Sequence, residues 1–75
     1  MIIKILADEI SIASANTVYD APLVRIINTG ATANLIISGI GNVSVTNTET
    51  IIVEKPNTST LTGANMRAVP VAYKA

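Results

Sequence analysis

β-Branched side chains make up an unusually large share of this chain. Of its 75 residues, 28 are Ile, Val or Thr, whereas Leu contributes four. These side chains are stiff at χ1 and suit a pleated, half-buried surface better than a helix. Seven Asn residues and scattered Gly and Pro punctuate the chain roughly every 8–12 residues, a spacing typical of small sandwiches and barrels. We therefore predict that residues 1–75 form a single all-β domain, a small β-sandwich or partly open barrel of about six short, mostly antiparallel strands.

Alternating apolar residues assign faces in the clearest segments, because side chains two apart on a strand share a face. This rule groups Leu23 with Arg25 and Ile27, Val24 with Ile26, Ile51 with Val53, Ile52 with Glu54, and Val69 with Val71 and Tyr73. The Gly-containing cluster between residues 28 and 33 predicts a turn, so we expect residues 23–38 to form a β-hairpin. Pro70 lacks an N–H, which predicts that the last strand is an edge strand or carries a bulge.

The N-terminal segment is apolar on both of its faces. Ile2, Lys4 and Leu6 would lie on one side, with Ile3 and Ile5 on the other. Residues 1–7 are therefore either the first strand of the domain or an N-terminal arm that pairs with a neighbouring subunit.

The residue types that are missing exclude several kinds of chemistry. The chain has no Cys and no His, so it cannot form a disulfide, a Cys/His zinc site or a His-dependent nucleophile system. The adjacent Asp8 and Glu9 lack the further oxygen ligands of a calcium loop, so we interpret them as a solvated turn. Five basic residues balance five acidic ones, which argues against nucleic acid as a partner. We predict no enzymatic activity, no catalytic residues, no cofactor, no metal and no membrane association.

The low charge also predicts association with other protein. Only 13% of the residues are charged, and the formal net charge is zero. Surface charge keeps proteins apart, and a small chain without disulfides or metals is commonly stabilised by oligomerisation. We therefore predict that this protein works as a homo-oligomer or in a multi-copy assembly.

Two charged residues interrupt otherwise apolar strands. Arg25 and Glu54 either point to solvent or pair with an opposite charge, across the sheet or across a subunit boundary. The two aromatic residues, Tyr19 and Tyr73, are either core-edge residues or interface anchors. The residues that we predict to form an interface are Ile2, Ile3, Ile5, Arg25, Glu54, Val71 and Tyr73.

Three segments carry a resemblance to a known group of proteins. Residues 21–30, residues 51–56 with Thr58 and Leu61, and residues 69–73 together resemble the small virion-associated β proteins of tailed phages, particularly those infecting marine bacteria and cyanobacteria. The resemblance implies a decoration or cement protein that binds the outer surface of the major capsid shell and joins neighbouring subunits. It implies the major capsid protein and copies of itself as partners, and the capsid exterior as its location after synthesis in the host cytoplasm.

Two other functions remain open from the sequence. One is a structural adaptor associated with the tail, baseplate or fibre of a phage. The other is a small ligand- or glycan-binding β module, although two tyrosines are few for a sugar site that stacks on aromatic rings.

Overall fold

The computed structural model describes residues 2–74 and the side chains of residues 2–73. Within that range the chain forms eight strands and no helix. The strands are β1 (Ile2–Ile5), β2 (Ile10–Ser11), β3 (Leu23–Asn28), β4 (Ala33–Ile37), β5 (Gly41–Val45), β6 (Thr50–Glu54), β7 (Leu61–Thr62) and β8 (Met66–Lys74). The predicted count of about six was low because β2 and β7 are strands of two residues each.

The strands form two antiparallel sheets. The five-stranded sheet has the order β1-β8-β3-β6, with β2 also paired to β8. The three-stranded sheet has the order β5-β4-β7. One hydrophobic core joins inward side chains of both sheets, among them Ile26 and Ala68 from the first and Leu35 and Val45 from the second. The predicted small β-sandwich is confirmed.

The alternation read from the sequence fixes which side chains enter this core. Val24 and Ile26 are fully buried, whereas Leu23, Arg25 and Ile27 on the opposite face are half-buried. Burying one aliphatic side chain of this size contributes roughly 1.5–3 kcal/mol. A shift of one residue in the pairing of β3 would exchange its two faces, so the core also fixes the strand register.

The predicted hairpin over residues 23–38 is wrong. β3 pairs with β6 and β8, whereas β4 pairs with β5 and β7, so the turn between β3 and β4 carries the chain from one sheet to the other. The tight hairpin joins β4 to β5 instead, through Ser38–Ile40, with Gly39 at a φ of 77°. A crossover between sheets and a hairpin loop need the same turn-forming residues, so local sequence does not distinguish them.

Of the two alternatives predicted at Pro70, an edge strand is wrong, because β8 is the central strand of its sheet. It pairs with β3 on one side and with β1 and β2 on the other. The ladder is irregular opposite Pro70, where residues 6–9 face residues 69–70, which agrees with the bulge alternative. The N–H and C=O of one residue point the same way in an antiparallel ladder, and the Pro70 carbonyl accepts from the Leu6 N–H at 3.0 Å. The missing N–H therefore faces the gap between β1 and β2, where the pairing is already interrupted.

Candidate docking surface

The outward side of the three-stranded sheet has the composition expected of a sheet surface in contact with water. Cross-strand pairs place Asn34 beside Ser44, and Ile36 beside both Asn42 and Thr62. The Ser44 hydroxyl donates a hydrogen bond of 3.2 Å to Asn34 Oδ1. Antiparallel sheets commonly solvate one face in this way, with polar residues out and apolar residues in.

The outward side of the five-stranded sheet has a different composition. Arg25 lies between Val69 and Ile52, Ile27 lies between Arg67 and Thr50, and Leu23 lies beside Glu54. We call the surface made by Leu23, Arg25, Ile27, Thr50, Ile52, Glu54, Arg67 and Val69 the outer face. Four of these eight side chains are apolar, although the inward sides of the same strands already form the core. Strands that are apolar on both sides are typical of sheets that are covered on both sides.

Apart from Arg67, which is paired with Glu9, the outer face holds one positive and one negative side chain. Arg25 pairs in register with Ile52, and Glu54 with Leu23, so the two charges occupy diagonal positions on neighbouring strands. No ion pair joins them among residues 2–73, where the one salt bridge links Arg67 Nε to Glu9 Oε1 at 2.8 Å. The structure therefore does not show an ion pair between Arg25 and Glu54 within one chain, which was one of the interpretations open from the sequence.

A second apolar surface extends from one end of the sandwich. β1 pairs with residues 71–74 of β8, and we call this two-stranded unit the terminal ribbon. Its exposed fractions are 64% for Ile2, 56% for Ile5 and 52% for Tyr73, and 51% for the adjoining Leu6. The ladder between β3 and β8 ends at the pair Val24–Pro70. Within the described residues, the ribbon therefore keeps backbone edges without a partner strand.

The seven predicted interface residues fall on these two surfaces. Arg25 and Glu54 lie on the outer face, and the other five lie in the terminal ribbon, where Val71 is 1% exposed and so does not present its side chain to a partner. By alternation along β8, Val71 and Tyr73 share a side with Val69, and their partners Ile5 and Ile3 continue that side onto β1. Ile2 lies on the opposite side of the ribbon. Sequence reasoning missed Leu6, Leu23, Ile27, Ile52 and Val69, although period-two patterning had already grouped most of these with predicted interface residues.

A strained turn presents Tyr19. Val18, Tyr19 and Asp20 are three successive residues with φ between 53° and 59°, a left-handed conformation that costs roughly 1–2 kcal/mol per residue. The turn is held by the fully buried Val18 side chain and by a 2.7 Å hydrogen bond from the Val18 N–H to Asn16 Oδ1. Tyr19 is 57% exposed, so its ring lies outside the core.

Lys55 is a buried cation just beyond the end of β6. It is 3% exposed, and its Nζ donates to the Asn57 carbonyl at 3.0 Å and to the Pro56 carbonyl at 3.4 Å. Burial lowers the pKa of Lys55 from its ordinary value of 10.5, while the charge of Asp20 acts in the opposite direction. The charged form is therefore less favourable in the folded protein than in the unfolded chain.

This lowered pKa predicts a pH-dependent stability. Between the folded pKa and 10.5 the unfolded chain binds more protons at Lys55, so stability rises with pH across that window. We expect the melting temperature of the wild type to increase relative to that of Lys55→Met as the pH is raised from 7 to 10.5. Other groups that titrate there are common to both proteins and cancel in the difference. The control is Lys4→Met, which removes an exposed lysine. The prediction is contradicted if the melting temperature of the wild type rises no more relative to Lys55→Met than it does relative to Lys4→Met.

The described residues contain no pocket and no group of three acidic side chains placed to hold a metal ion. They also contain no helix of the length and hydropathy needed to cross a bilayer. Comparison of the chain with protein families, with curated proteins and with solved structures finds no match.

Proposed function

We propose that this protein is a structural virion protein of the capsid decoration or cement type, which binds the outer surface of the major capsid shell through its terminal ribbon. The observation that carries the proposal is the ribbon itself. The ribbon continues β8 beyond its ladder with β3, so only two strands support each other there, and it exposes Ile2, Ile5 and Tyr73 by more than half. Packing against another protein would cover these side chains.

Strand addition supplies the mechanism. Unpaired N–H and C=O groups along the ribbon edges offer hydrogen bonds to an extended segment of a capsid subunit, and the apolar side chains fill pockets beside it. A single contact of this size is weak. Repetition over a symmetric shell, with each copy touching two neighbouring subunits, raises the overall affinity through multivalency.

The virion setting rests on the resemblance of residues 21–30, 51–56 and 69–73 to small phage β proteins. The net charge of zero is consistent with a partner that is protein rather than nucleic acid. The exposed apolar residues of the ribbon are consistent with a docking role.

A matched pair of variants tests the docking surface. Ile2 in the ribbon and Ile40 in the β4–β5 turn are both 64% exposed, so a lysine at either site perturbs the fold equally little. We expect Ile2→Lys to weaken binding to shells of the major capsid protein about tenfold or more, because burying an isoleucine contributes roughly 1.5–3 kcal/mol. Ile40→Lys should bind like the wild type. Binding is measured by co-sedimentation with shells prepared without this protein.

Equal binding by Ile2→Lys and the wild type would exclude the ribbon as the docking site. Failure of the wild type to bind shells would reject the capsid role. Cryo-electron microscopy of the intact particle separates the remaining alternative, since density on the tail or baseplate, in far fewer copies, would indicate an adaptor there.

A further inference from the structure

We propose that the outer face is the contact between two copies of this chain, packed sheet against sheet about a two-fold axis, with Arg25 of each copy paired to Glu54 of the other. This dimer deepens the proposed structural role by naming a second copy as a partner. One side of the terminal ribbon adjoins the outer face, but the tests use separate residues: Arg25 and Glu54 here, and Ile2 on the opposite side of the ribbon, so the two proposals can fail separately.

The first step is that the outer face exposes several aliphatic side chains. Ile52 is 39% exposed and Leu23 and Ile27 are partly exposed, while Val69 between them is already buried. The corresponding positions on the three-stranded sheet are mostly Asn, Ser and Thr, with Ile36 as the exposed apolar exception. The same protein therefore carries one face suited to water and one that resembles the side of a sheet packed in a core.

The second step is that the charges of this face complement a copy of itself. Arg67 on this face is already paired with Glu9, which leaves Arg25 and Glu54 at diagonal positions, and these two form no ion pair with each other. Consider the line that joins Arg25 to Glu54 on one copy, and a two-fold axis that lies between the two facing sheets and crosses the midpoint of this line at right angles. Rotation about that axis places Arg25 of each copy over Glu54 of the other. Isologous contacts require this kind of self-complementarity, and one axis then creates two equivalent ion pairs. A partner of strong single charge would leave one of the two residues facing a like charge.

The third step gives the relative orientation of the copies. Arg25 and Glu54 are separated by one strand spacing and by two residues along the strands. Strands lie about 4.8 Å apart and rise about 3.4 Å per residue, and these spacings set the angle between the Arg25–Glu54 line and the strands. The two-fold axis places this angle on opposite sides of the line in the two copies, so their strands cross at roughly 70°. This angle is closer to the orthogonal class of sheet packing than to the aligned class.

A charge-reversal mixing experiment tests the reciprocal pairs. In Arg25→Glu both ion pairs of the dimer become Glu–Glu contacts, and in Glu54→Arg both become Arg–Arg contacts, so each variant alone should sediment as a monomer where the wild type is dimeric. In a mixture of the two variants, each contact again joins a glutamate to an arginine. We expect sedimentation equilibrium of the mixture to show heterodimer with at least tenfold higher affinity than either variant alone.

The control applies the same charge changes to the other sheet. The control variants Asn34→Glu and Asn42→Arg change residues on the polar outward side of the three-stranded sheet, and they should leave the dimer intact. Far-UV circular dichroism checks that each variant is folded, and the double variant Arg25→Glu with Glu54→Arg should dimerise on its own. A monomeric wild type at high micromolar concentration, a ring of three or more copies, or no recovery on mixing would each overturn the two-fold contact. None of these results bears on the binding of Ile2→Lys to shells.

Discussion

Replacing Asn28 with alanine should cost the protein about 2–4 kcal/mol of its folding free energy. The side chain is completely buried at the end of β3, where the chain leaves the five-stranded sheet. Its amide donates to the Val45 carbonyl at 2.8 Å and to the Ala31 carbonyl at 3.0 Å, and its oxygen accepts from the Gly30 N–H at 2.9 Å. Removing this side chain leaves three backbone groups without these hydrogen-bond partners, and it removes the hydrogen bond that links the end of β3 to β5.

The loss should appear as a drop in melting temperature of about 10 °C or more, since 1 kcal/mol shifts a domain of this size by about 4–8 °C. Asn28→Asp should be no better than alanine, because a carboxylate cannot donate to two carbonyls. Asn34→Ala is the matched control, since this exposed asparagine makes one side-chain hydrogen bond, to Ser44. A melt of Asn28→Ala that overlaps the control would show that the buried network contributes little.

The second large effect is expected at Gly63, where alanine should destabilise the fold by about 1–3 kcal/mol. A Cβ there would overlap Met66 Sδ and lie 3.1 Å from Met66 Cγ. Met66 is 1% exposed, so the side chain that must shift is enclosed in the core. The Gly63 backbone is also held, because its N–H donates to the Ile12 carbonyl at 2.9 Å. The requirement for glycine at this position is therefore one of space.

A double-mutant cycle distinguishes overlap from a general intolerance at the site. Met66→Ala alone should cost about 2–5 kcal/mol by leaving a cavity. If the overlap argument is correct, the double variant is more stable than the two separate losses predict, because the smaller side chain accepts the new methyl group. Additive losses in urea denaturation would indicate that Gly63 is needed for another reason.

The sequence predicted which side of a strand each side chain lies on better than it predicted which strands pair with each other. Alternation correctly separated Val24 and Ile26 from Arg25 because the period of a strand depends on its own backbone. It could not show that β3 pairs with β8, about 40 residues away, rather than with its neighbour β4. That choice depends on where the turn after Asn28 sends the chain, and the buried hydrogen bonds of Asn28 are visible only in three dimensions.

The candidate surface was predictable to a similar degree. Arg25 and Glu54 stood out because each charge interrupts an apolar strand. Leu23, Ile27 and Ile52 did not, because an apolar residue on a strand is expected in the core, and alternation does not say which side the second sheet covers. The three-stranded sheet covers the side of Val24 and Ile26, which turns the other side into a candidate contact.

The pairing of β1 with the end of β8 also determines where additions to the protein can be placed. Ile2 lies directly opposite Lys74, so both ends of the described chain meet at one tip of the molecule. Any group attached at residue 2 or residue 74 would crowd the residues proposed to touch the shell. An affinity tag or fluorophore is better inserted in the turn of residues 38–40, which joins β4 to β5 and belongs to neither proposed contact surface.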